Sequence, residues 1–145
     1  MDGYIVPRTK VLKSGAMSEE TIHKTVIEWA RLHPLLKRIV LHFPNEGKRS
    51  ARYGKLLKDM GMRAGVSDLF IATARHGFIG AWIELKSAKG VVSDAQKDFL
   101  DDMSQQNYFT AICWSLDEAI NTIDWYCFKT QECHHRQMEH SSVSS

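Results

Sequence analysis

The chain has 145 residues, 43% of them hydrophobic and 25% charged, and a net charge of +2 with histidine neutral. That length sets one domain as the expectation, the composition excludes a globally disordered chain, and no apolar run approaches the roughly 20 residues of a membrane span. The opening MDGYIVPRTK lacks the apolar stretch of a secretory signal, and Cys113, Cys127 and Cys133 show no CxxC spacing, so an intracellular protein with free thiols is expected.

Residues 1–17 carry Gly3, Pro7 and Gly15 without periodicity and read as a flexible arm. Ser18 offers an N-cap, Glu19 and Glu20 suit a first turn, and Ile22, Val26, Trp29 and Ala30 recur at helical spacing. A helix over 19–32 follows, stopped near Pro34. At about 100° per residue, Glu19 points close to the Ile22–Val26 stripe and Glu20 away from it. First-turn dipole chemistry explains both acids, but an acid at a buried helix edge can also serve a site. Residues 38–43 (RIVLHF) are apolar and β-branched, a strand, and Pro44-Asn45-Glu46-Gly47 is a turn.

A second helix is expected over 49–60, with Ala51, Leu56, Leu57 and Met60 apolar and Gly61 closing it. Lys48, Arg49, Arg52, Lys55, Lys58 and Arg63 crowd this segment against a single acid, Asp59. Such a basic side fits a polyanionic ligand, and equally a solvated helix face. Residues 68–74 and 78–86 read as strands joined by a hairpin turn at His76-Gly77. After the Lys89-Gly90 loop, Ser93-Asp94-Ala95-Gln96 matches a capping box, opening a helix to about Gln105 with Ala95, Phe99 and Met103 inward. Residues 108–114 (YFTAICW) are a strand, and Ser115 or Leu116 opens a last helix to about Tyr126.

Trp82, Trp114 and Trp125 have apolar neighbours and read as core rather than base-stacking residues. The folded unit is then 18–128, and 129–145 is expected to be disordered. Cys133, His134, His135 and His140 in that tail are metal-capable, but nothing apolar surrounds them to build a closed zinc site. The order α-β-α-β-β-α-β-α implies an α/β fold with a mixed sheet flanked by helices.

The chemistry concentrates on the hairpin. Alternation places Ala81, Ile83 and Leu85 on one face of the second strand and Trp82, Glu84 and Lys86 on the other. Glu84 and Lys86 are then roughly 7 Å apart at about 3.3 Å rise per residue. Buried at the end of an apolar run, they need a partner or a task. The hairpin brings Asp68, at the start of the first strand, beside them. Two converging carboxylates repel, and a divalent cation relieves the repulsion. Oxygen ligands without His or Cys suit Mg²⁺ or Mn²⁺, and the Leu85 carbonyl can add a third oxygen. Lys86 then stands where it can hold an attacking water or help to deprotonate it. A plain salt bridge from Lys86 to Glu84 or Asp68, with no metal, fits the bare spacing as well.

PNEGKR at 44–49, GMRAGVSDLFIA at 61–72, WIELK at 82–86 and SDAQ at 93–96 together resemble the VRR-NUC family of the PD-(D/E)xK nuclease superfamily. With the first helix, the resemblance spans residues 18 to about 126. It implies a restriction-endonuclease-like core in which Asp68 and Glu84 bind Mg²⁺ or Mn²⁺, Lys86 is catalytic and Gln96 is the motif glutamine. It also implies a metal-binding acid from the first helix, Glu19 before Glu20. Gln96 is explained equally by the capping box. Ser67 departs from the proline common before the aspartate, and His23 from the Gln or Glu common in the helix. Asn45, Lys48, Arg49 and Arg52 follow a strand end on the same side and are candidates for phosphate contact, which confers affinity rather than sequence preference. The short chain is similar to the stand-alone members of phages and prophages, which implies the cytoplasm of a bacterial host. Those members resemble homodimeric resolvases of four-way (Holliday) junctions in DNA repair and recombination. The alternatives are a flap or nicking nuclease with little structure selectivity and a non-cleaving DNA-binding module.

Overall fold

Four serines set where the longer helices begin. In the computed structural model, which describes residues 17–43 and 50–130, Ser18, Ser50, Ser93 and Ser115 each accept a hydrogen bond from the backbone N–H three residues on. Each hydroxyl satisfies a donor that the first helical turn leaves open. The helices they open are α1 (Glu19–Arg31), α3 (Ala51–Asp59), α4 (Asp94–Gln105) and α5 (Leu116–Phe128). Between them lie a one-turn helix α2 (Leu36–Ile39) and strands β1 (Val40–His42), β2 (Leu69–Ile71), β3 (Ala81–Leu85) and β4 (Phe109–Cys113).

The strands form one mixed sheet in the order β1-β2-β3-β4. β1–β2 and β2–β3 are antiparallel, whereas β3 and β4 are parallel, as a crossover through α4 requires. Helices flank both faces, as the element order implied. On one face Ile22 and Val26 of α1 and Ile123 and Tyr126 of α5 bury Leu69, Ile71, Ile83, Leu85 and Phe109. On the other, Phe99 of α4 meets Trp82 edge to face at 5.0 Å, beside Phe70 at 4.6 Å. Trp82 is therefore packing, as is Trp125, which stacks on His76 at 4.1 Å.

Several expected boundaries move, each for a local reason. Arg38 and Ile39 belong to α2 rather than to a strand over 38–43. His33 Nδ1 receives the N–H groups of Leu35 and Leu36 at 3.1 and 3.4 Å and turns the chain, which drives Leu36 into the core at 1% exposure. The two hairpin strands are shorter than 68–74 and 78–86. Arg75 and Phe78 form an isolated bridge around His76 (φ 53°) and Gly77 (φ 80°), two left-handed residues in succession that suit a tight hairpin turn. Gly80 then interrupts the strand because the Phe70 and Tyr108 rings lie over it, 3.0–3.1 Å from where a Cβ would stand. In α4 the buried stripe is Gln96, Phe99 and Leu100, with Ala95 and Met103 only half-buried. A polar residue thus occupies a core-facing helix position.

Cys113 and Cys127 are free and buried, and burial pushes their thiols up to about 12 and 11, so both are unreactive packing groups. Cys133 and the histidines of the tail, the arm up to residue 16 and the 44–47 turn lie outside the described residues. Among the described residues no helix is long and apolar enough to cross a membrane.

Candidate active site

The β2–β3 register builds the site. Its last pair is Leu69 opposite Ile83, and one step further places Asp68 across from Glu84. Directly opposed residues share a face, so the two carboxylates belong to one surface. The Asp68 carboxylate is oriented by Leu85, whose backbone N–H donates to Oδ2 at 2.8 Å. Behind Asp68 the chain is pinned by the Phe43 N–H, which donates to its carbonyl at 2.9 Å.

Glu84 is 1% exposed and Lys86 is 4% exposed. Lys86 Nζ lies 3.5 Å from Glu84 Oε1 and 3.7 Å from Glu19 Oε1. The ammonium therefore sits between an acid of the sheet and an acid of the first helix, which offset its desolvation. The ion pair and the convergence of acids, alternatives in the bare spacing, are both present. Glu20 is not part of the site: it is exposed and bonds Lys24 at 2.6 Å, which holds its carboxyl below the usual value.

Gln96 serves both readings at once. Its side-chain oxygen accepts from the Ser93 N–H at 2.9 Å, completing the capping box, while its Nε2 donates to Glu84 Oε1 at 2.7 Å. The cap fixes the amide orientation, and the amide fixes the carboxylate. Asp68, Glu84, Lys86, Glu19 and Gln96 are thus brought together, with the Leu85 carbonyl on the same strand end. Arg52 is an exposed residue of α3, while Asn45, Lys48 and Arg49 lie outside the described residues.

The VRR-NUC domain family profile matches residues 9–116. The chain belongs to the VRR-NUC family. A solved structure described as a "VRR_NUC domain protein" superposes with a TM-score of 0.64 at 25% identity, over 77% of this chain and 88% of that one. No curated protein matches. Membership in the VRR-NUC family carries a nuclease-type function and, with it, DNA binding.

Two features of this VRR-NUC site were not anticipated. The first is a histidine pair. His23 of α1 and His42 of β1 meet edge to face at 4.0 Å, and His42 Nδ1 lies 3.3 Å from the Asp68 carbonyl. Burial first, and His42 second, pull His23 down to about 4, so it is neutral at pH 7. The signal lay in His23 standing one turn after Glu19 on the same helix face. The second is Gly90, where a Cβ would fall 2.6 Å from Glu19 Oε1 and 3.1 Å from Lys86 Cδ. The third neighbour, the Ser87 carbonyl oxygen at 3.2 Å, needs to give by only a few tenths of an ångström, and the other two belong to long side chains. Gly90→Ala is therefore expected to leave the melting temperature within a few degrees while displacing Glu19 and Lys86. Steady-state cleavage should fall about 10-fold to 10²-fold, the scale of a 1 Å misplacement in a site.

The oxygen donors available are hard ones: Asp68, Glu84, the Leu85 carbonyl and Glu19. They suit Mg²⁺ or Mn²⁺ better than zinc. Among the described residues no three His, Cys, Asp or Glu side chains already form a cage. Mg²⁺ does not need one, since it keeps several waters and takes one or two carboxylates.

Proposed function

We propose that this VRR-NUC protein is a divalent-metal-dependent endodeoxyribonuclease acting on branched DNA, and that it resolves four-way junctions as a homodimer. The convergence of Asp68, Glu84 and Lys86 at one strand end carries the proposal. Asp68, Glu84 and the Leu85 carbonyl would hold Mg²⁺ or Mn²⁺, with Glu19 at the edge of the set. A cation bound there supplies Lewis-acid stabilisation of charge on the phosphate oxygen.

The chain's own groups do the rest. Lys86, held by Glu84 and Glu19, presents an ammonium to the attacking water and the non-bridging phosphate oxygen. Water attacks phosphorus and gives up a proton to solvent, the P–O bond to the leaving oxygen breaks, and that oxygen takes up a proton from solvent. Gln96 keeps Glu84 from rotating away. Arg52, with Asn45, Lys48 and Arg49, supplies phosphate contacts that position the strand without reading bases. One domain has one such site, so cutting both strands of a junction calls for two copies, and a C₂ pair matches the near two-fold symmetry of the junction.

Incubation of the protein with a four-way junction and a linear duplex, in Mg²⁺, Mn²⁺ or EDTA, tests this together with mass in solution. Junction cleavage that requires the divalent ion, from a species of twice the chain mass, is expected. Cutting in EDTA removes the metal assignment. Equal cutting of duplex and junction removes the structure selectivity, and a monomer active on both strands removes the dimer.

A further inference from the structure

Glycine is the poorest ordinary helix former after proline, yet Gly54 stands in the interior of α3. A Cβ built on it would meet no atom of the described residues within 4 Å. Among the described residues no close approach requires a glycine there. The space it faces is a cleft of about 310 Å³ between α3, the following loop and the first turn of α4. Leu57 and Met62 give it apolar walls, Lys58 and Arg63 bring charge to it, and Gln96 lines its inner end.

The cleft is built from fixed parts. Gly65, at φ +82°, lies so close to α4 that a Cβ would fall 2.3 Å from the Ala95 carbonyl, so the loop is seated on the helix. Arg63 is held from behind: it pairs with Asp102 at 2.6 Å and its guanidinium stands 5.4 Å from the centre of the Phe99 ring. Asp59, the one acid of α3, is taken by Lys55 at 3.3 Å. Lys58 has no ion-pair partner among the described residues. Gln96, which lines the inner end, also bonds Glu84 of the active site.

We propose that this cleft is a subsite for one nucleotide of the bound DNA strand next to the scissile phosphate. The apolar walls take the base or sugar, and Lys58 and Arg63 take the phosphate. The volume lies at the small end of ligand pockets, ~300–1,000 Å³, which admits a single nucleotide leaving the stack and excludes a base pair. The subsite rests on the nuclease proposal for its ligand, since only a bound strand running through the active site reaches it. Gly54 is then a residue that keeps the cleft open at the expense of helix propensity.

Gly54→Leu, which fills the cleft from α3, tests it. Affinity for a fluorescein-labelled four-way junction is read by anisotropy in EDTA, folding by thermal melting, and cleavage in parallel with Mg²⁺. Gly54→Leu is expected to bind about tenfold more weakly, the scale of losing one base contact, with an unchanged or raised melting temperature. Lys58→Gln is expected to flatten the slope of log K against log salt by about one, the loss of one phosphate contact. It decides the matter if Gly54→Leu fails to fold. A folded Gly54→Leu that binds and cuts like wild type, or a Lys58→Gln with an unchanged salt slope, overturns the subsite and leaves the nuclease proposal standing. Weakened binding by Gly54→Leu, with no cutting by the wild type, keeps the cleft as a nucleotide site on a bound strand and overturns the nuclease proposal, and with it the placement next to a scissile phosphate.

Discussion

Lys86→Ala is expected to lower cleavage by about 10²–10³-fold, the cost of removing one preorganised donor at a developing charge, while junction binding in EDTA stays close to wild type. The side chain is 4% exposed and offers almost no surface to bound DNA, so little affinity depends on it. Its removal has a second consequence. Glu84 and Glu19 lose the cation that lay 3.5 and 3.7 Å from them. Leaving one partner of a buried pair behind costs about 3–5 kcal/mol, so the metal-free variant should melt well below wild type. Mg²⁺ held at the proposed site would replace the lost charge and, bound only to the folded state, would raise stability by mass action. The Mg²⁺-dependent rise in melting temperature should therefore be larger for Lys86→Ala than for wild type. Lys86→Met, which keeps the length of the stem, separates lost charge from lost packing. Wild-type cutting by either variant removes Lys86 from the chemistry. Equal melting responses to Mg²⁺ in variant and wild type remove the metal from its side.

The elements legible in advance are those decided by neighbours in sequence. Each capping serine acts on an N–H three residues away. The His76-Gly77 turn needs only two residues that tolerate positive φ, and strand alternation alone puts Glu84 and Lys86 on one face. What sequence left open depended on packing between distant segments. The one turn of α2 forms because a histidine nitrogen and the burial of Leu36 outweigh the strand propensity of 38–43. Gly90 looked like an ordinary loop glycine, because its neighbours Glu19 and Lys86 come from a helix far upstream and a strand end. Gln96 carried a readable mark. Its position on the Phe99–Leu100 stripe is buried, and a buried amide must find a partner. The partner it finds is Glu84. Burial of an acid alone is a poorer signal. Glu118 is 3% exposed and accepts the Trp114 N–H at 2.6 Å, yet it serves the β4–α5 junction.

Asp68 allows fold and chemistry to be separated within one side chain. One carboxylate oxygen accepts the Leu85 N–H at 2.8 Å, and the charge faces Glu84. Asparagine keeps a carbonyl oxygen in nearly the same place, so Asp68→Asn can preserve that hydrogen bond while removing the negative charge. Alanine removes both. Asp68→Asn should melt close to wild type, whereas Asp68→Ala should lose about 1–3 kcal/mol for the N–H left without its acceptor. Cleavage should fall by about 10³-fold or more in both, because a neutral amide is a poor ligand for a hard divalent ion and the Lewis-acid contribution goes with it. Calorimetric titration of Mn²⁺ into the DNA-free protein gives a readout apart from activity, with affinity for the ion sharply reduced in both variants. If Asp68→Asn binds Mn²⁺ as tightly as wild type, Asp68 is a strand-pairing residue only. The hydrogen bond to Leu85 then accounts for it, and the oxygen set of the site contracts to Glu84, Glu19 and the Leu85 carbonyl.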